Sequence, residues 1–129
     1  ARDGDRLRPG QVLVARGGDH LRLSAVNTLA YSRDPVDTPF RPSVDVLFQS
    51  LAESRLRPGV AVLLTGMGSD GAKGLLSLRR RGWSTIAQDQ ASCVVYGMPK
   101  AARDMGSAEL VLPLSLIAAH AAKHLDCHD

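Results

Sequence analysis

The five residues Val60-Ala61-Val62-Leu63-Leu64 carry no polar side chain and lead directly into Thr65-Gly66-Met67-Gly68-Ser69-Asp70-Gly71. A short apolar run without alternation is what a strand covered on both faces looks like, and such strands belong to parallel sheets. Parallel neighbours must be joined by long crossovers, usually helices. A strand that closes into a glycine turn and then opens a helix therefore restricts the chain to α/β architectures.

The rest of the chain fits that frame. Val44, Leu47, Phe48 and Leu51 fall at i, i+3, i+4 and i+7, which predicts a helix from about Ser43 to Glu53. After the glycine turn, a helix starts near Ala72 with Leu75, Leu76 and Leu78 inward and Lys73, Arg79 and Arg80 outward, and Gly82 stops it. Ser84 to Gln88 reads as the next strand and Leu110 to Leu112 as a last short one. Pro99 suits the first turn of a helix through Met105, and Leu114 to about His124 forms a terminal helix. Ala91 to Met98 reads either as a plain loop or as a loop containing a strand-like segment. Near the start, Gln11–Ala15 and His20–Ser24 flank Gly17-Gly18 and predict a β-hairpin, with His20, Arg22 and Ser24 on one face and Leu21 and Leu23 on the other. The expected fold is a doubly wound, mostly parallel sheet with a small antiparallel hairpin near the start.

Composition narrows the function classes. With 129 residues, 44% hydrophobic and 22% charged, the chain suits a single domain with one core. The net charge of +3 invites a nucleic-acid reading, with Arg79-Arg80-Arg81 as the densest basic cluster. Aromatics are only 4%, too few for stacking platforms, so the triple Arg reads as a solvated helix end and no nucleic acid is expected. No apolar run reaches the roughly 18 residues of a membrane span. Two cysteines, Cys93 and Cys127, make no disulfide framework and fit a reduced, cytoplasmic protein.

The segment Gly66 to Gly71 matches G-x-G-x-x-G between a strand and a helix, and Asp89 follows at the spacing of a ribose-binding acid. This permits a nucleotide-binding module. Asp70 argues against it, because its carboxylate would face the pyrophosphate. A tight turn that merely needs glycines remains open, with Asp70 as a helix N-cap.

Three blocks carry a more specific signal: Arg41-Pro42-Ser43-Val44-Asp45-Val46-Leu47-Phe48, Leu64 to Ala72, and Thr85 to Pro99. In their order and spacing they resemble the C-terminal catalytic domain of the chemotaxis receptor methylesterases, the CheB family. The resemblance covers nearly the whole chain but only the later part of the family domain. It implies a carboxylic ester hydrolase that removes glutamate γ-methyl esters from chemoreceptors through a Ser-His-Asp triad, with no metal or organic cofactor. The triad acid of the family's T-G-M-G-x-D-G loop falls on Asp70, and the Met67 backbone amide becomes a candidate oxyanion donor. The implied partners are methylated cytoplasmic receptor helices and, in the parent system, an N-terminal receiver domain and a histidine kinase.

The family's nucleophile sits in a G-x-S-x-G-type turn and its histidine in a Q-H-M segment, and neither pattern occurs in these 129 residues. The expectation is an incomplete domain, 1–129, holding one third of a triad: inert as an esterase, and prone to self-association through sheet edges its missing strand would cover. A catalytically inactive receptor- or kinase-binding domain is the remaining alternative. Phe40 stands where the family often has His, Ser69 where Asn is common, and Arg16-Gly17-Gly18 replaces a Pro-Gly turn. His20 is expected at a surface-hairpin position, and not as the general base. Ala91 to Met98 is expected to border the cleft, with Cys93 a packed thiol. His120, His124 and His128 recur every four residues beside Asp126 and Cys127. That stripe could hold zinc or nickel on a continuing helix, but it reads more simply as a fraying tail.

Overall fold

A computed structural model of the chain describes residues 1–24 and 27–126, the last of these by its backbone only. An antiparallel pair, β1 (His20–Leu23) and β2 (Leu29–Ser32), comes first. Then α1 (Val44–Ala52), β3 (Val60–Leu63), α2 (Ala72–Arg80), β4 (Ser84–Gln88), α3 (Met98–Met105), β5 (Leu110–Leu112) and α4 (Leu114–Asp126) follow in strict alternation. Strands β3, β4 and β5 form a parallel sheet in that spatial order, with Val62 opposite Ile86 and Ile86 opposite Leu110.

The apolar run forms β3 as expected. Ala61 and Leu63 point with Ala87 into a core closed by Leu75 and Leu78 of α2, Ala102 of α3 and Phe48 of α1. Ile86 lies on the opposite face of β4, and α4, with its buried Ile117, contacts β3 and β4. Helices thus lie on both faces of the sheet. Leu75 and Leu78 are fully buried and Leu76 half-buried, while Lys73, Arg79 and Arg80 are exposed. No described helix is long and apolar enough to cross a membrane.

The hairpin differs from expectation. Gln11–Ala15 is not a strand: Val12 is 89% and Val14 72% exposed, although Leu13 and Ala15 pack against the small core of Leu21, Leu23 and Leu29. The partner of β1 is Leu29–Ser32, downstream of it. Alternating apolar residues suggest a strand at 11–15, but among the described residues no strand lies beside it to supply a hydrogen-bond ladder. His20 is also not a surface residue. It is fully buried, because the 33–42 loop and the start of α1 close over that face of β1.

Candidate active site

Asp70 stands beyond the C-terminal end of β3, immediately before α2. That is the side of a parallel sheet where α/β domains bind ligands. Its carboxylate does not cap its own helix: the N-cap of α2 is Gly71, at φ +96°, with no side-chain cap. It caps α1 instead. Oδ1 accepts from the Ser43 hydroxyl at 2.8 Å and from the Asp45 N–H at 3.0 Å, and Oδ2 accepts from the Val44 N–H at 2.7 Å. The positive end of the α1 dipole adds to the attraction. A carboxylate has about four acceptor positions, two on each oxygen. Among the described residues Oδ1 is therefore saturated and Oδ2 keeps one position open.

Asp45, in the first turn of α1, reaches the other way and accepts from the Gly74 N–H at 2.7 Å. Burial pushes its pKa above the ordinary 3.8. The Gly74 hydrogen bond opposes that shift and the nearby Asp70 charge adds to it. The same bond counts against the nucleotide alternative. An amide of the first turn of α2, which a pyrophosphate would need, already holds a carboxylate. Asp89 is likewise engaged, accepting from the Ser92 N–H at 3.0 Å and the Ser92 hydroxyl at 2.7 Å.

The glycine loop is fastened to the 91–98 segment, which contains a strand-like contact, a parallel bridge between Gly66 and Tyr96. Gly66 N–H donates to the Val95 carbonyl at 3.0 Å, and the Gly97 and Met98 amides donate to the Gly66 carbonyl at 3.1 and 2.9 Å. Thr65 Oγ1 accepts from Val95 N–H at 2.8 Å. Buried Gln88 links both sides, accepting from Thr65 N–H at 2.8 Å and donating to the Ser92 carbonyl at 2.7 Å. At Gly97 the approach leaves no room for a side chain: a Cβ would lie 2.6 Å from the Gly66 carbonyl oxygen and 2.8 Å from the Gly68 nitrogen. Within this braced loop, Met67 is 74% exposed and its amide donates to no other described residue. That leaves an N–H without a partner among the described residues, on the same loop as Asp70.

Ser43, Asp45 and Gln88 were not singled out from the sequence as parts of a site. Ser43 carries an ordinary N-cap signal, a serine opening an amphipathic helix, but here its hydroxyl serves another element. His20 and Ser43 do touch, yet not as a catalytic pair. The Ser43 amide donates to His20 Nδ1 at 3.0 Å while the hydroxyl points to Asp70. Cys93 is half-buried, its thiol pKa raised first by desolvation. Of the C-terminal stripe, His120 and His124 lie on α4, whereas Cys127 and His128 fall outside the described residues. Among the described residues no group of three His, Cys, Asp or Glu side chains could hold a metal. A cavity of about 620 Å3 lined by Leu23, Glu53 and Arg57 lies at the far end of α1 and contains none of the site residues.

The strand–loop–helix arrangement, with an acid and an amide unpartnered among the described residues at the strand's C-terminal end, defines an α/β domain whose candidate site lies at the C-terminal edge of its parallel sheet. The CheB methylesterase description matches residues 1–121, and the chain belongs to that family. A protein-glutamate methylesterase/protein-glutamine glutaminase of Burkholderia orbicola is 55% identical over 122 residues, which cover 95% of this chain and 36% of the relative. A protein of the same name from Cupriavidus metallidurans is 52% identical over 118 residues, covering 92% of this chain and 35% of that one. The crystal structure of the Thermotoga maritima CheB methylesterase catalytic domain superposes with a TM-score of 0.88 at 37% identity, over 95% of this chain and 67% of that one. The chain thus spans about a third of the length of these curated relatives and part of the catalytic domain.

Proposed function

We propose that this chain, as a single unit over 1–129, supplies the acid and an oxyanion donor of a protein-glutamate methylesterase domain. On this reading the serine and histidine come from the part of the domain that the chain does not span. The observation that supports this most is the Asp70 carboxylate, held by three donors with one acceptor position left on Oδ2. A histidine N–H placed there has its tautomer fixed and its imidazolium stabilised as the serine loses its proton. The serine oxygen then attacks the ester carbonyl, and the tetrahedral oxyanion is met by the Met67 N–H. One such donor is typically worth about 3 kcal/mol. The histidine protonates the leaving methanol, and water resolves the acyl-enzyme to glutamate. With a glutamine amide, ammonia leaves in the same step, which gives the deamidation implied by the relatives' second name. No step calls on a metal or an organic cofactor.

The partners on this reading are methylated chemoreceptor helices, with a receiver domain and a histidine kinase in the same cytoplasmic system. The test is a chimera that joins to Ala1 the catalytic-domain segment preceding the matched region in the B. orbicola relative. The chimera should release methanol from a methylated chemoreceptor fragment, and the 129-residue chain alone should release none. Asp70→Asn should lower kcat by about 10⁴-fold, the cost of a triad aspartate. Turnover unchanged by Asp70→Asn would overturn the triad assignment. Receptor binding without turnover would favour a docking domain.

A further inference from the structure

We propose that His20 is a positioning residue for Asp70, acting through Ser43; this rests on the reading of Asp70 as the triad acid. His20 is fully buried, and both of its ring nitrogens are used. Nε2 lies 2.7 Å from the Pro35 carbonyl oxygen, which can only accept, so Nε2 carries the proton. Thr38 Oγ1 is 3.3 Å from the same nitrogen and gives its own proton to the Phe40 carbonyl at 2.8 Å, so it too is an acceptor there. Nδ1 is then the bare nitrogen and accepts the Ser43 N–H at 3.0 Å. The tautomer is set by partners on both sides, and neither ring nitrogen is left to exchange a proton with a substrate.

This bond places Ser43. Ser43 is the N-cap of α1, so its amide precedes the helical ladder. His20 supplies the acceptor for that amide, and Ser43 is thereby held with its hydroxyl on Asp70 Oδ1. With Ser43 and the Asp45 amide both on Oδ1, the carboxylate rotation is fixed and the open acceptor position falls on Oδ2. Release Ser43, and Oδ1 loses one of its two donors, so the carboxylate gains freedom to turn. The line Pro35–His20–Ser43–Asp70 therefore connects the loop behind β1 to the catalytic end of β3, through a residue that touches no substrate.

Two measurements test this. On the 129-residue chain, long-range ¹H–¹⁵N spectra should show His20 in the Nε2–H tautomer; the Nδ1–H tautomer cannot accept from Ser43 and would overturn the proposal. In the chimera, His20→Leu and Ser43→Ala should each lower kcat by up to about 100-fold with KM unchanged, the scale of a small misplacement of a reacting group. His20→Asn, whose amide oxygen can stand in for Nδ1, should recover most of the loss. In an Asp70→Asn background, His20→Leu should subtract nothing further. An equal loss in both backgrounds would make His20 merely structural, and an unchanged kcat would remove it from the machinery altogether. If Asp70→Asn itself leaves kcat intact, the triad reading is what fails, and this proposal falls with it.

Discussion

Asp45 and Asp70 each cap the helix that the other one introduces. Asp70 precedes α2 and binds the first amides of α1; Asp45 sits in α1 and binds the Gly74 amide of α2. The two carboxylates are close enough that the Asp70 charge adds to the burial that raises the Asp45 pKa. Because the folded-state value lies above the ordinary 3.8, the folded protein keeps a proton that the unfolded chain has already released. Stability contributed by this group is full below pH 3.8 and is lost as pH rises through the raised value. Asp45→Asn keeps an acceptor for Gly74 and removes the titration. Urea unfolding should show it gaining on the wild type as pH rises from below 3.8 toward neutral. Asp45→Ala should instead lose about 1–3 kcal/mol, because the Gly74 amide is left without a partner. A constant difference between Asp45→Asn and wild type across that range would disprove the linkage.

Reciprocal capping works only if α1 and α2 cross closely, and Gly74 sets how closely. A Cβ there would lie 2.6 Å from Phe48 Cβ and 3.2 Å from both Asp45 Cα and its carbonyl oxygen. Gly74→Ala gains about 1 kcal/mol of helix propensity. It also forces the helices apart at a cost of about 1–3 kcal/mol, and lengthens the Asp45–Gly74 bond. The second effect should win, giving a net loss of up to about 2 kcal/mol in urea unfolding; a stabilised variant would mean that the crossing relaxes freely. The glycine was invisible as a packing residue in the sequence, since nothing there says which helix lies across it. The elements themselves were largely legible, because 3.6-residue periodicity in α1 and the unbroken apolar run of β3 are local signals. Leu29–Ser32 escaped for the opposite reason: four residues are too few to show a period, and these form a strand only because β1 lies beside them. The same limit applies at the site. The sequence resemblance pointed to Asp70 and Met67, but the donors that hold Asp70 come from positions 25 to 27 residues away and belong to another helix. The surface-hairpin position expected for His20 from the family resemblance fails because a resemblance in the hairpin does not show what folds over that strand.

The outer edge of β3 has no strand beside it among the described residues, although its inner edge pairs with β4 along its whole length. Val60 and Val62 are half-buried and Leu64 is 46% exposed on the face that Ile86 shares, where α4 covers the neighbouring strand more fully. Val94 and Val95, on the segment that braces the glycine loop, add apolar surface at 90% and 45% exposure. A parallel sheet is stable when both faces are covered and its central strands are paired, and an open apolar edge is a template for another strand. In the absence of the rest of the catalytic domain, the strand available in solution is the β3 of a second copy. Two such edges would pair antiparallel about a twofold axis. Sedimentation equilibrium of the 129-residue chain should therefore show a concentration-dependent dimer, and Val62→Lys, which places a charge on the edge strand, should shift it to monomer with its circular dichroism retained. In the chimera the supplied segment competes for the same edge, so that protein should be monomeric without the substitution. A chain that stays monomeric at every concentration would mean that the β3 edge is protected by its own twist or by the 91–98 segment. A chimera that still dimerises would move the interface elsewhere on the molecule.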